Sequence, residues 1–469
     1  MELFDAMQTG MSRTENGAIT NSSSLDANLD LFATIGASRG KNIDHKFVRA
    51  WNEDKGLATR ILLWAGDVRQ GAGERQIFKD LVKLLPELTE DLNTTELFDK
   101  VVELTRYDNL FTFVGTDLEE AMLSFYASKL KEGSALAAKW CPREKSAKRD
   151  YAVLLRKHMG LRSKEYRKML SSLSDTVEQK MCAKEFDKIN YEHVPSVASA
   201  RYQKSFLRND ENRYRSYLDK LSKGEAKINA GAVYPYDIIK SMREGGNTTA
   251  ANEQWEALPD YFEGESFSIL PVVDTSGSMH IKVSGSTTAM DVAVSLGLYL
   301  SERIEGKFNN KFITFSERPS LQNVKGDKLY SKLRSLYNSD WGFNTNLIAV
   351  FQLVLESAVK HGLDQSELPN KIMIISDMEF DCACGGMTNF ATIDKMFEKA
   401  GYKRPDLIFW NVCSRQENYP VQKQDNGTAL VSGFSPSIMR SVLSSKVVSP
   451  LDIMYETVLD SRYDPVFLV

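Results

Sequence analysis

Apolar positions divide the chain into two unlike halves. From Lys46, the residues Phe47, Trp51, Leu57, Ile61, Leu62 and Trp64 recur at intervals that place them on one side of a helix. Gly71-Ala72-Gly73 interrupts this pattern, and a helix is expected over 74–85, stopping before Pro86. Amphipathic stretches follow at 95–105, 117–131, 147–159, 163–171 and 174–186, with almost no alternation of β-branched residues. An all-α region is expected, its helix pairs stacked as a HEAT-like solenoid, although the sequence shows no clean repeat. Near residue 262 the pattern changes to short, continuously apolar runs separated by helical stretches. Strands are predicted at 266–273, 311–316, 371–376, 407–413 and 428–434, and helices at 289–304, 346–361, 390–401, 436–444 and 450–460. Such alternation implies a largely parallel sheet, Rossmann-like, covered on both faces. The expected order is a loosely structured lead-in over 1–40, helical near Leu25–Phe32, an α-helical region over 41–262, and an α/β domain over 263–469.

Composition narrows the class. The chain has 469 residues, 42% hydrophobic and 26% charged, which suits a multidomain globular protein. Nothing approaches the ~20 apolar residues of a membrane span. The opening MELFDAMQTGM lacks a basic and apolar leader, and five scattered cysteines suit a reducing compartment. A cytoplasmic protein is expected. The net charge of −4 conceals an asymmetry. Residues 1–120 hold 13 Lys and Arg against 21 Asp and Glu, whereas residues 121–250 hold 26 against 15. A basic middle of this kind reads either as solvated helix faces or as a surface for a polyanion.

The chemistry-bearing motif directly follows the first α/β strand: Asp274-Thr275-Ser276-Gly277-Ser278-Met279. Oxygen side chains at i, i+2 and i+4 of a turning loop can converge on one point, and such ligands suit a hard cation, Mg²⁺ first. The same residues could instead cap the helix that follows. Thr345, before helix 346–361, and Asp377, after strand 371–376, would lie on the same rim, where open α/β sheets bind ligands. This set resembles the metal-ion-dependent adhesion site (MIDAS) of von Willebrand factor A domains. The resemblance implies that Ser276, Ser278 and Thr345 bind the cation directly, that Asp274 and Asp377 act largely through waters, and that an outside acidic group takes the sixth position.

The helical half carries a second resemblance. The segments 136–144 (LAAKWCPRE), 161–170 (LRSKEYRKML), 181–184 (MCAK), 189–196, 227–236 (KINAGAVYPY) and 375–381 (ISDMEFD) are similar to a family of plants, bacteria and large viruses or phages. That family is defined by a domain of unknown function and pairs a helical region with a von Willebrand factor A domain. The layout is more distantly similar to the Ro autoantigen, or TROVE, proteins, with Arg106-Tyr107-Asp108-Asn109-Leu110 a further point of likeness. There a ring of helical repeats binds RNA and the A domain closes it.

An RNA partner is therefore expected, on a face built from Lys139, Arg143, Lys145, Lys148, Arg149, Arg156, Lys157, Arg162, Lys164, Arg167, Lys168, Arg201, Lys204 and Arg208. Cations neutralise phosphates, and the interleaved Tyr151, Tyr166, Tyr202, Tyr214 and Tyr217 could stack on bases or belong to the core. The alternative partner is a protein that offers an acidic residue to the bound Mg²⁺. No HExxH, nucleophile elbow or Walker lysine occurs, so a non-enzymatic protein is expected, a monomer in the cytoplasm, including the host cytoplasm for a phage protein. Gly71-Ala72-Gly73 reads as a turn or as amides offered to a phosphate, and Cys382-Ala383-Cys384 lacks a second pair for zinc. His280 adjoins the cation loop and reads as an exposed histidine or a contact for a bound acid.

Overall fold

The computed structural model describes residues 10–262, 268–314, 319–337, 346–382, 388–443 and 449–467. Helices dominate as far as Glu256, and a mixed α/β sheet domain follows. Local chemistry sets the helix boundaries. The side chain of Asp54 accepts from Leu57 N and splits the expected first helix into Asp44–Glu53 and Lys55–Gly66. Pro86 does not stop a helix. It sits in the first turn of a short new one, Leu85–Leu88, where a missing N–H costs nothing.

The sheet has six strands in the spatial order Thr428–Ser432, Asp406–Asn411, Lys371–Ser376, Ile269–Val273, Lys311–Thr314 and Ser320–Asn323. The first five are parallel, and the edge strand Ser320–Asn323 is antiparallel to its neighbour. That strand and the helix Leu329–Tyr337 escape the sequence reading. The strand is mostly exposed and polar, so it carries no apolar run. In the strands Ile269–Val273, Lys371–Ser376 and Asp406–Asn411, side chains alternate between two cores, as a period of two requires. Ile269, Val273, Met373, Ile375 and Trp410 join the core shared with the helical region. Leu270, Val272, Ile372, Ile374 and Phe409 join a second core under helices Leu347–His361 and Asn389–Ala400. A third cluster, around Tyr191, Phe206, Tyr214 and Tyr217, belongs to the helical region alone.

Residues 10–40 are not loose. Helix Ala27–Ile35 is buried along its whole length and packs on strand Thr428–Ser432, where Gly36 N donates to Ser432 Oγ at 3.0 Å and Ser432 Oγ to Phe32 O at 2.9 Å. Close approach explains Gly36, since a Cβ there would overlap the Ser432–Gly433 backbone. At the other end, the tail docks on the helical region. Arg462 binds Asp67, Asn93 N donates to Val466 O at 2.9 Å, and Phe467 meets Trp51 edge-on. Helix Pro235–Arg243 also rests on helix Ala289–Arg303 of the α/β domain. The first helices meet the last ones too, through Arg39 and Tyr236. The helical region thus starts and finishes at the same place, against the sheet.

Candidate functional site

The strand order reverses beside Ile269–Val273. Its chain successor pairs on one side, and Lys371–Ser376 pairs on the other. Such switch points leave a crevice at the carboxyl ends of the two strands. Asp274 follows the first strand and Asp377 the second, so the topology sets two carboxylates together. Asp274 is fully buried. Its Oδ1 accepts from Ser276 N at 2.9 Å, and its Oδ2 accepts from Ser376 Oγ at 2.5 Å. Ser276 Oγ and Ser278 Oγ are 3.0 Å apart. Asp377 is 1% exposed, and its Oδ2 has no hydrogen-bond partner among the described residues, although the Arg415 guanidinium lies 3.7 Å away. Burial and the charge of Asp377 push the Asp274 carboxyl up, to about 7, and burial likewise raises Asp377.

Four of the five expected residues, Asp274, Ser276, Ser278 and Asp377, therefore meet on one rim. Thr345 lies outside the described residues. Among the described residues, no group of three or more His, Cys, Asp or Glu could hold a metal, so any cation here would rest on hydroxyls. The donor set fits a hard cation: two hydroxyls in contact, a carboxylate oxygen with no hydrogen bond, and buried charge that a cation would relieve. His280 is exposed beside this loop.

The sequence gives no sign of what surrounds the rim. Met378, next to Asp377, has a φ of +66°, a left-handed conformation unusual for a side chain of this size. It is held by Met378 N donating to Ser376 Oγ at 3.0 Å. Glu379, 1% exposed, accepts from Glu15 N at 2.7 Å and from Asn418 Nδ2 at 2.9 Å. Arg415 spans from Glu15, 2.7 Å away, toward Asp377. The segment 14–18 thus straps the rim from the far end of the chain.

The predicted basic face resolves into unequal parts. Lys145, Arg149, Lys157, Lys164, Arg167, Lys168, Arg201 and Arg208 are exposed. Others hold the fold. Arg143 donates to Ala138 O and Ser174 Oγ, Arg156 to Glu144 and Leu161 O, and Lys204 to Glu244 O, while Arg162 pairs with Glu165. The tyrosines read as base-stacking candidates are mostly core. Tyr166, Tyr214 and Tyr217 are buried, and Tyr166 Oη donates to Pro142 O at 3.0 Å. Tyr151 stacks on Phe111 at 16° and 5.2 Å, and Tyr202 donates to Glu178 at 3.2 Å.

The structure gathers cations that the sequence scatters. Lys148 Nζ lies 2.8 Å and Arg106 Nη2 2.9 Å from Asp108 Oδ2. Arg106 also covers the half-buried Trp140 at 4.2 Å, with Lys139 Nζ 5.4 Å from the same ring. Burial, then Lys148, pulls the Lys79 ammonium below the lysine range, and burial and Arg75 act in the same direction on Arg106. Arg75, Lys79 and Arg106 lie in the acidic first 120 residues, so segment charge could not reveal them. The charge of Arg75 also acts on Glu74 and Asp237.

The glycine-rich bend is a packing device. Its amides are used internally, Gly71 N on Asp67 O, Ala72 N on Trp64 O and Glu74 N on Ala65 O, so they do not await a phosphate. A Cβ at Gly73 would overlap the Tyr234 hydroxyl.

Residues 14–103 and 134–264 match one domain of unknown function (DUF2828), and residues 268–462 match another (DUF7788). The chain is similar to the uncharacterized protein L728 of Acanthamoeba polyphaga mimivirus, 29% identical over 514 residues, which spans 98% of this chain and 89% of that protein. Among solved structures it is similar to the Deinococcus radiodurans RO (RSR) protein, with a TM-score of 0.41 and 12% identity over 92% of this chain and 99% of that one.

Proposed function

We propose that this protein is a non-enzymatic RNA-binding protein whose helical region supplies the nucleic-acid face. The observation that carries this reading is the gathering of Lys79, Arg106 and Lys148 about two carboxylates, Asp80 and Asp108, next to the half-buried Trp140. Cations in excess of their counter-charges seek phosphate, and a half-open indole offers a surface to an unpaired base. In the same reading, the α/β domain is of von Willebrand factor A type and closes the scaffold. Ser276 and Ser278 would bind a divalent cation directly, Mg²⁺ first, and Asp274 and Asp377 would act largely through its waters. When bound, the cation supplies a Lewis-acidic point for an acidic group.

Fluorescence anisotropy with a 20-nucleotide single-stranded RNA, titrated at several salt concentrations, tests the RNA reading. Binding is expected to weaken steeply with salt, and Lys79→Glu with Lys148→Glu to reduce affinity at least tenfold. Binding that ignores both salt and these substitutions would refute it.

A second reading rests on Asp377 Oδ2, buried and without a hydrogen bond among the described residues. Here the cation would recruit a protein partner through that partner's Asp or Glu. Loss of a co-purifying partner with both EDTA and Asp274→Ala is expected, and a partner retained under both would eliminate the reading.

A further inference from the structure

Helices Ser196–Asn209 and Pro235–Arg243 leave between them an open cleft of about 340 Å³. This lies within the ~300–1,000 Å³ range of small-molecule sites. Its walls are mixed, with Val197, Ala200 and Val233 among charged and amide side chains. Arg201, Gln203 and Lys204 line one side, and Asp237, Lys240 and Glu244 the other. Arg201 and Lys240 form no ion pair among the described residues.

Gln203 is the informative residue. It is 1% exposed, yet its Nε2 has no hydrogen-bond partner among the described residues. Its Oε1 accepts from Asn247 N at 2.6 Å, which fixes the amide in place. A buried, unused N–H donor is costly to retain, and such groups call for a ligand or a water. The backbone closes tightly behind it, since a Cβ at Gly246 would lie 2.9 Å from Gln203 Oε1. The cleft therefore offers a fixed donor at its wall and cations at its mouth. Asp237 adds an acceptor, its carboxyl raised by burial.

We propose that this cleft seats one unpaired nucleotide of a bound RNA, with the phosphate against Arg201 and Lys240 and a base acceptor facing Gln203 Nε2. The inference rests on the RNA-binding reading and adds to it a defined single-nucleotide site.

The experiment uses the full chain, Gln203→Glu, which keeps the acceptor for Asn247, and the cleft-lining variants Arg201→Gln and Lys240→Gln. Each is checked for an unchanged melting temperature. Binding of the 20-nucleotide RNA is measured across salt, and binding of UMP, CMP, AMP and GMP by calorimetry. Gln203→Glu is expected to weaken RNA binding about tenfold. Lys240→Gln is expected to lower the salt slope by about 0.7, the value for one single-strand phosphate. At least one mononucleotide should bind the parent and not Gln203→Glu. If RNA binding is lost with Lys79→Glu and Lys148→Glu but unchanged in all three cleft variants, the cleft assignment falls and the RNA reading stands. If RNA does not bind at all, the RNA reading falls, and absence of mononucleotide binding then overturns the cleft as well.

Discussion

Asp274 is fully buried, and Asp377 acts on it as a like charge. A carboxyl whose native pKa is raised binds a proton that the unfolded chain releases. Its contribution to stability is therefore lost as pH rises from about 4 through the raised native value near 7. In chelator at pH 7.5, Asp274→Asn should melt above the parent, by the equivalent of about 1–3 kcal/mol, and the gap should close as pH falls towards 5. Excess Mg²⁺ should reverse the order, since only the parent gains a fully formed cation site. Thermal melts over this pH range, with EDTA and with Mg²⁺, decide it, and a gap that widens on acidification would count against the buried-pair account. At this scale the sequence was informative. The spacing of Asp274, Ser276 and Ser278 is local, and Asp377 follows a strand recognisable by its apolar run. Ser376 and the left-handed Met378 were illegible, because their roles come from a neighbouring strand and from a backbone angle.

At the scale of elements, the helical region separates charge from aromaticity. Tyr191, Tyr214 and Tyr217 form a ring cluster with Phe206, with centroids 4.9–6.0 Å apart, inside the third core. Cations and tyrosines alternate in the sequence because a helix sends one set to solvent and the other inward, and a linear reading cannot tell that from an RNA-stacking surface. Among the described residues, the buried hydroxyl of Tyr214 has no hydrogen-bond partner. Tyr214→Phe is therefore expected to be neutral or stabilising by about 1 kcal/mol, whereas Tyr214→Ala should cost about 3–5 kcal/mol. Urea unfolding midpoints measure both, and neither change should alter the salt slope for RNA. A weaker RNA complex with Tyr214→Phe would return this residue to the nucleic-acid face.

For the whole molecule, the helical and α/β regions are legible from periodicity, but their interlocking is not. Ser- and Asn-rich composition made residues 1–40 look loose. Those polar groups are satisfied by distant partners, as when Thr14 Oγ1 donates to Phe380 O at 2.6 Å and Asn21 Nδ2 to Tyr419 O at 2.9 Å. The tail holds the opposite region in the same way. Asp67 is buried, and Arg462 Nε at 2.6 Å and Tyr463 Oη at 3.1 Å both donate to it. Removing Arg462 leaves that carboxylate undercompensated, so Arg462→Ala should cost about 3 kcal/mol. Deleting residues 460–469 should cost more, and far-ultraviolet melts should show the helical region losing stability. A tail deletion that left the melt unchanged would show that the tail adds no stability to the helical region.

The buried helix Ala27–Ile35 also has a consequence for biosynthesis. Phe32 waits for Ser432, 400 residues later in the chain. At ribosomal rates of ~5–20 residues per second, that is a delay of about 20–80 s. Throughout that time the side of the helix that packs on this strand has no sheet to cover it, although Phe32 can already meet Trp64, so the nascent chain presents part of an apolar helix near its start. Chaperone occupancy on translating ribosomes should therefore begin soon after this helix emerges and end only when the strand Thr428–Ser432 is complete.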